Sequence, residues 1–191
     1  MKRLILASGS PRRKDLLEQA RLSFITQTSD TEEVVDDRLS PEEVVQSLAL
    51  QKAAAVAINN KDAVVLGADT IVVYQEHILG KPVDEKDAMR MLRMLSGSTH
   101  SVYTGVALVT SEQETAFCTE TKVTFWELTE EEISFYVATG QPADKAGSYG
   151  IQDFGATFVK EIQGDYFSVV GLPLSKTVRE LKKLGITSND L

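Results

Sequence analysis

The chain has 191 residues, 42% of them hydrophobic and 25% charged, with a formal net charge of −8. That composition belongs to a globular protein with room for one sizeable α/β core, or for two lobes sharing one sheet. The negative balance excludes a general affinity for nucleic acid or an anionic membrane, so a polyphosphate ligand would require basic residues gathered in one place. The lone cysteine, Cys118, excludes an intrachain disulfide framework and points to a reducing, cytoplasmic setting. In the opening MKRLILASGSPRR the apolar run is only about four residues, against the roughly 7–15 of a signal peptide. No run approaches the roughly 20 apolar residues of a membrane span, so a soluble, unexported protein is expected.

Arg3–Ala7 is a short apolar run before a Ser/Gly loop and reads as a buried strand. Pro11–Ala20 follows as a helix, with Ser10 at its N-cap and Pro11 at its first position. Phe24–Thr28 is a second short strand. Ser40, Pro41 and Glu43 form a capping box with proline at N1, opening a helix to about Ile58. Ala63–Leu66 and Ile71–Tyr74 are β-branched runs separated by Gly-Ala-Asp-Thr. Asp84 caps a helix whose Ala88, Met91, Leu92 and Leu95 share one face. Ser101–Val109 and Thr115–Trp126 read as long paired strands. Thr129 and Glu132 form a second capping box, with Ile133, Tyr136 and Val137 inward. Thr157–Ile162 and Tyr166–Val170 are predicted strands, and a last helix from Leu172 to Leu184 stops at Gly185. Together these elements predict one domain over residues 1–191. Its class is α/β of the mixed, α+β kind, a twisted mixed β-sheet flanked by helices.

Five segments carry candidate chemistry. In Ser8–Arg13 a buried strand ends in small residues and a helix begins. Free backbone N–H groups and the positive end of a helix dipole then converge, with the Ser8 and Ser10 hydroxyls and the Arg12 and Arg13 guanidinium groups beside them. The spacing is that of neither a Walker A loop nor a dinucleotide fingerprint, and a capped helix with two solvated arginines is the competing reading. Asp69, between two strongly apolar runs, must bind a metal, pair with a cation or act as a base, unless Gly67–Thr70 is only a turn.

Lys52 falls on the apolar stripe of its helix with Val45, Leu48 and Val56, so it either snorkels to the surface or reaches into a cleft. Lys81 lies in a rigid Leu-Gly-Lys-Pro turn. Asp30–Glu33 is an acidic stretch of oxygen donors that suits a hard divalent cation or is a surface loop. Asp144–Gln152 has the glycines and directed polar groups of a binding loop, and the amide of Gln152 suits a base edge. His77 and His100 have no Cys or His partner at metal-ligand spacing and read as structural, and Cys118 has no partner that would make it a nucleophile. Phosphate-binding features, basic residues and oxygen ligands without a Ser/Cys–His couple point to metal-assisted attack of water on a phosphoanhydride.

The order of motifs resembles the Maf family, also called septum-formation inhibitor-like proteins. The residues that carry it are SGSPRR (8–13), DTEE (30–33), QKA (51–53), GADT (67–70), LGKP (79–82), SGSTHSVYT (96–104), DKAGSYGIQ (144–152) and GDYFSVVGLP (164–173). The resemblance implies hydrolysis of a nucleoside triphosphate to the monophosphate and pyrophosphate, dependent on Mg²⁺ or Mn²⁺. It also implies a mixed fold with a deep cleft, related to the inosine triphosphate pyrophosphatases, and a homodimer. It makes Asp69 the catalytic aspartate with Glu33 as its acidic partner, and it makes Ser8, Arg13, Lys52 and Lys81 phosphate-binding; Glu33 and Asp69 are then expected to hold the metal.

One branch of the family acts on dTTP and UTP, another on 7-methyl-GTP, and Arg12, Thr70 and Gln152 match the first. Asp153 departs from it, standing where that branch often has glycine. House-cleaning of modified pyrimidine nucleotides and a link to septum formation are further implications of the resemblance. A non-catalytic nucleotide-binding regulator of division and a purine (ITP/XTP) pyrophosphatase are the alternatives.

Overall fold

Leu4, Ile5 and Leu6 are all buried, as a strand covered on both faces of a sheet requires, and Arg3–Leu6 forms β1. The computed structural model describes residues 2–28, 34–36 and 38–188. β1 pairs in parallel with β2 (Phe24–Thr26) and with β3 (Ala63–Tyr74), Leu6 standing opposite Thr26 on one side and Leu66 on the other. β4 (His77–Leu79) folds back antiparallel on the end of β3, Val72 opposite Leu79. β5 (Thr99–Val109) and β6 (Glu114–Phe125) are long neighbours joined by a short turn, and β7 (Val159–Gln163) runs antiparallel to β6. The order is β2-β1-β3-β5-β6-β7 with β4 on β3, a seven-stranded mixed sheet.

The described helices are α1 (Pro11–Gln19), α2 (Pro41–Ala57), α3 (Glu85–Leu95), α4 (Glu130–Ala138), α5 (Tyr166–Val170) and α6 (Leu174–Lys183). Both predicted capping boxes form. Ser40 Oγ accepts from Glu43 N at 3.3 Å while Glu43 Oε2 accepts from Ser40 N at 2.9 Å, and Thr129 and Glu132 repeat the exchange at 3.2 and 2.8 Å. Asp84 caps α3 through Asp87 N at 2.7 Å. Ser10 occupies the N-cap of α1, but its side chain makes no cap bond.

Three expectations are corrected. The two runs Ala63–Leu66 and Ile71–Tyr74 are one strand, with Gly67–Thr70 the middle of the twelve-residue β3, which also sets aside the competing turn reading. Tyr166–Val170 is a short helix, not a strand. Asp165 Oδ1 captures Phe167 N at 2.8 Å and its carbonyl takes Ser168 N at 3.2 Å, so a local aspartate turn overrides the β-branched and aromatic composition. The last helix begins two residues late, at Leu174, after Pro173.

The chain divides into two compact units. The first comprises Met1–Asp69, Thr104–Thr119 and Gly171–Leu191, the second Thr70–Tyr103 and Glu120–Val170. The first has an aliphatic core in which Ala49, Ala53 and Val56 of α2 pack on Ile5, Val65 and Ala107 of the sheet. A Cβ on Gly67 would strike the Ala49 carbonyl and come within 2.9 Å of Ala53 N, and one on Gly105 would strike the Val45 carbonyl. Only glycine lets α2 lie this close on β3 and β5. The second unit is aromatic at its centre. Phe125, Tyr149 and Phe158 meet edge to face at centroid distances of 4.7 and 6.0 Å, and Tyr136 packs on Phe158 at 5.2 Å.

Candidate active site

The first unit gathers two of the predicted groups. β1 hands the chain to Ser8, which is buried, and α1 then presents Arg12 and Arg13, both half-buried. Ser8 Oγ accepts from Ser10 N at 3.3 Å and from Arg13 Nη1 at 3.0 Å. Arg13 Nε donates to the Gly171 carbonyl at 2.7 Å, so its guanidinium is held from two sides of the unit. The arginines are not simply solvated. Arg13 is built into the turn, one guanidinium N–H on Ser8 Oγ and another on the Gly171 carbonyl.

The second group follows from the crossing of α2 over β3. Contact at Gly67 sets Lys52, one residue before Ala53, against Asp69, two residues beyond the glycine. Lys52 Nζ donates to Asp69 Oδ1 at 2.5 Å, with the two side chains 23% and 15% exposed. Lys52 therefore reaches inward to a carboxylate rather than snorkelling to water. β1 lies beside β3, with Leu6 opposite Leu66 and Ala7 N donating to the Leu66 carbonyl at 2.7 Å, so the Ser8 turn leaves the sheet from the strand next to the one that carries Asp69.

Thr70, Lys81 and Gln152 lie in the second unit. Thr70 is half-buried on β3, while Lys81 and Gln152 are exposed. The turn before Lys81 and the loop before Gln152 are tied together, because Gly147 N donates to the Gly80 carbonyl at 3.1 Å. Gly147 also packs on Val72, two residues beyond Thr70, where a Cβ would approach within 2.9 Å. His77 is exposed and its Nδ1 faces the Gln75 carbonyl at 2.8 Å. His100 is buried, with Nε2 2.8 Å from Tyr149 Oη, and burial draws its pKa down from 6.5 to about 4. Burial, with Tyr136 nearby, pushes the Tyr149 phenol up. Both groups are neutral scaffolding at physiological pH.

Glu33 and the rest of Asp30–Glu33 lie outside the described residues. Among the described residues no group of three or more His, Cys, Asp and Glu stands together as a metal cage. The donor present is a hard carboxylate, Asp69, beside the basic side chain of Lys52. That fits Mg²⁺ or Mn²⁺, which use one or two carboxylates and complete their shell with water and substrate phosphates. Among the described residues no helix is long and apolar enough to cross a membrane.

The family described as Maf-like protein matches residues 3–184. The chain belongs to the Maf family. A relative from Bacillus cereus, named dTTP/UTP pyrophosphatase, is 60% identical over 186 residues, which cover 97% of this chain and 92% of the relative. One from Bacillus thuringiensis subsp. konkukian, with the same name, is 60% identical over 97% of each chain. Among solved structures, the Staphylococcus aureus Ham1 protein is similar at 13% identity and a TM-score of 0.43, over 65% of this chain and 72% of that one. That likeness is too slight to carry an argument.

Two residues beyond the predicted set contribute to this Maf protein's candidate site. Gly171 holds Arg13 through its carbonyl, and Lys145 is buried within the Gln152 loop. Both fall inside motifs quoted above, GDYFSVVGLP and DKAGSYGIQ, and that membership was the available signal.

Proposed function

We propose that this protein hydrolyses dTTP and UTP to the monophosphate and pyrophosphate, with Asp69 as its catalytic carboxylate. The observation that carries the reading is the half-buried Lys52–Asp69 pair, one strand away from the Ser8–Arg13 turn. The family membership and the names of its 60% identical relatives support the substrate class. The span of the family match supports reading the chain as one Maf-like domain.

Water attacks the α-phosphorus of the nucleotide and the α–β phosphoanhydride breaks, releasing pyrophosphate. Asp69 orients that water and takes up its proton, and Lys52 Nζ fixes the direction in which the carboxylate points. Asp69, with Glu33 as second ligand, would hold a divalent cation, which supplies charge neutralisation at the phosphate oxygens. Ser8, the first-turn amides of α1, Arg13, Lys52 and Lys81 bind the triphosphate and stabilise the charge that develops on the leaving pyrophosphate. Arg12, Thr70 and Gln152 read the pyrimidine. The working form is a cytoplasmic homodimer.

The test is pyrophosphate release from a panel of dTTP, UTP, ITP and 7-methyl-GTP with Mg²⁺ or Mn²⁺, using wild type and Asp69→Asn. Fast turnover of dTTP and UTP, with a loss of at least about a hundredfold in the variant at unchanged thermal stability, is expected. Near-full activity of the variant refutes the assignment of Asp69. Faster turnover of ITP makes the protein a purine enzyme, and no pyrophosphate from any nucleotide makes it a regulator.

A further inference from the structure

Lys145 is the most deeply buried lysine among the described residues, 9% exposed. A lysine is rarely buried unless its charge is matched. Its Nζ donates to the Gln141 carbonyl at 2.6 Å and to Asp144 Oδ1 at 2.8 Å, and stands 3.6 Å from Asp153 Oδ2. The lysine therefore spans the loop from its start to the residue after Gln152.

The glycine at 150 belongs to the same arrangement. A Cβ there would come within 2.6 Å of Lys145 Cε and 3.0 Å of Asp153 Oδ2, so the lysine stem and the aspartate carboxylate close directly over the backbone. Gly150 N donates to Tyr136 Oη at 3.0 Å, and Tyr149 Oη meets His100, so the inner side of the loop is anchored in the aromatic core. Its outer side, where Gln152 is exposed, is held by charge.

We propose that Lys145 and Asp153 form an ion-pair latch that sets the position of Gln152, making Asp153 a specificity-determining residue that touches no substrate. The proposal rests on the reading of Gln152 as a base contact. An exposed amide on an unfastened loop would spend binding free energy on becoming ordered. The latch orders it beforehand. Asp153 is 41% exposed, so the contribution is that of a half-exposed ion pair and should appear as a change of a few fold.

The experiment measures kcat and KM for dTTP, UTP and ITP, with amide exchange of residues 145–153, in wild type, D153N, D153E, K145M, Q152A and the Q152A/D153N double variant. D153N is expected to raise KM for dTTP and UTP about threefold with kcat held within about twofold, narrowing the preference over ITP. D153E should recover most of the loss. The double variant should discriminate no worse than Q152A alone, and the Gly150 amide should exchange faster in D153N. K145M keeps the stem under Gly150 while deleting the charge, so it should match or exceed D153N.

Unchanged KM and unchanged exchange in D153N overturn the latch, as does a double variant whose losses simply multiply. A Q152A variant with unaltered preference overturns the base contact instead. The latch is then decided by exchange alone, faster exchange supporting it and unchanged exchange refuting it.

Discussion

Acidification is expected to weaken the second unit through one imidazole. His100 is 2% exposed, edge-on to Phe125 at 4.9 Å and to Tyr149 at 5.3 Å. Its Nδ1 is buried with no hydrogen-bond partner among the described residues, so a second ring proton would have no acceptor. Burial lowers the folded pKa from 6.5 to about 4. Between those values the unfolded chain binds the proton and the folded one does not, so stability rises with pH across the window and is lost as pH falls through it. The gap corresponds to about 3 kcal/mol, most of it gone by about pH 4.5.

The assay is urea unfolding from pH 7 to pH 4.5 on wild type and His100→Gln, which does not titrate there and still offers Tyr149 a polar partner. Carboxylates titrate alike in both proteins, so they cancel in the comparison. The stability of wild type relative to the variant should fall by about 2–3 kcal/mol across that range. A difference that stays constant refutes the idea that His100 is held neutral by burial.

Two further outcomes follow from the crossing of α2 over β3. Lys52→Met keeps the stem and removes the charge that fixes Asp69, so pyrophosphate release from dTTP should fall by roughly 10²–10³. A loss smaller than about tenfold would show that Lys52 is packing only. Gly67→Ala forces a methyl group against the Ala49 and Ala53 backbone, and chemical unfolding should register a loss of about 1–3 kcal/mol, with kcat falling as Lys52 is carried away from Asp69. Unchanged stability would mean that the helix has room to move.

The helix starts were legible because a cap is local chemistry. Ser40 with Glu43, Thr129 with Glu132, and Asp84 with Asp87 each close within three residues, and all three form. The parallel core strands were legible as apolar runs. Where local chemistry and pairing disagreed, the sequence misled in both directions. Gly67–Thr70 has turn residues yet is held extended by its neighbours, and Tyr166–Val170 has strand residues yet coils because Asp165 caps it.

In the site, the candidate Asp69 and Lys52 stood out by type and position, but their pairing across 17 residues did not. Arg13 meets Gly171 across 158 residues, and no periodicity reports such a contact. Lys145 was legible only as a member of the Asp144–Gln152 segment and not by its burial, since burial of a charged group depends on partners that folding supplies.

The bond from Arg13 to the Gly171 carbonyl has a thermodynamic consequence. A flexible arginine surrenders about 2 kcal/mol of rotamer entropy when it grips a phosphate. Here much of that surrender has been made during folding, by Gly171 on one side and Ser8 on the other. Under the proposed phosphate-binding role of this turn, nucleotide capture should accordingly show a smaller entropic penalty in calorimetry than a free side chain would impose. An Arg13→Lys variant keeps the charge and loses the fork, so it should bind with a less favourable entropy even where its affinity is partly preserved.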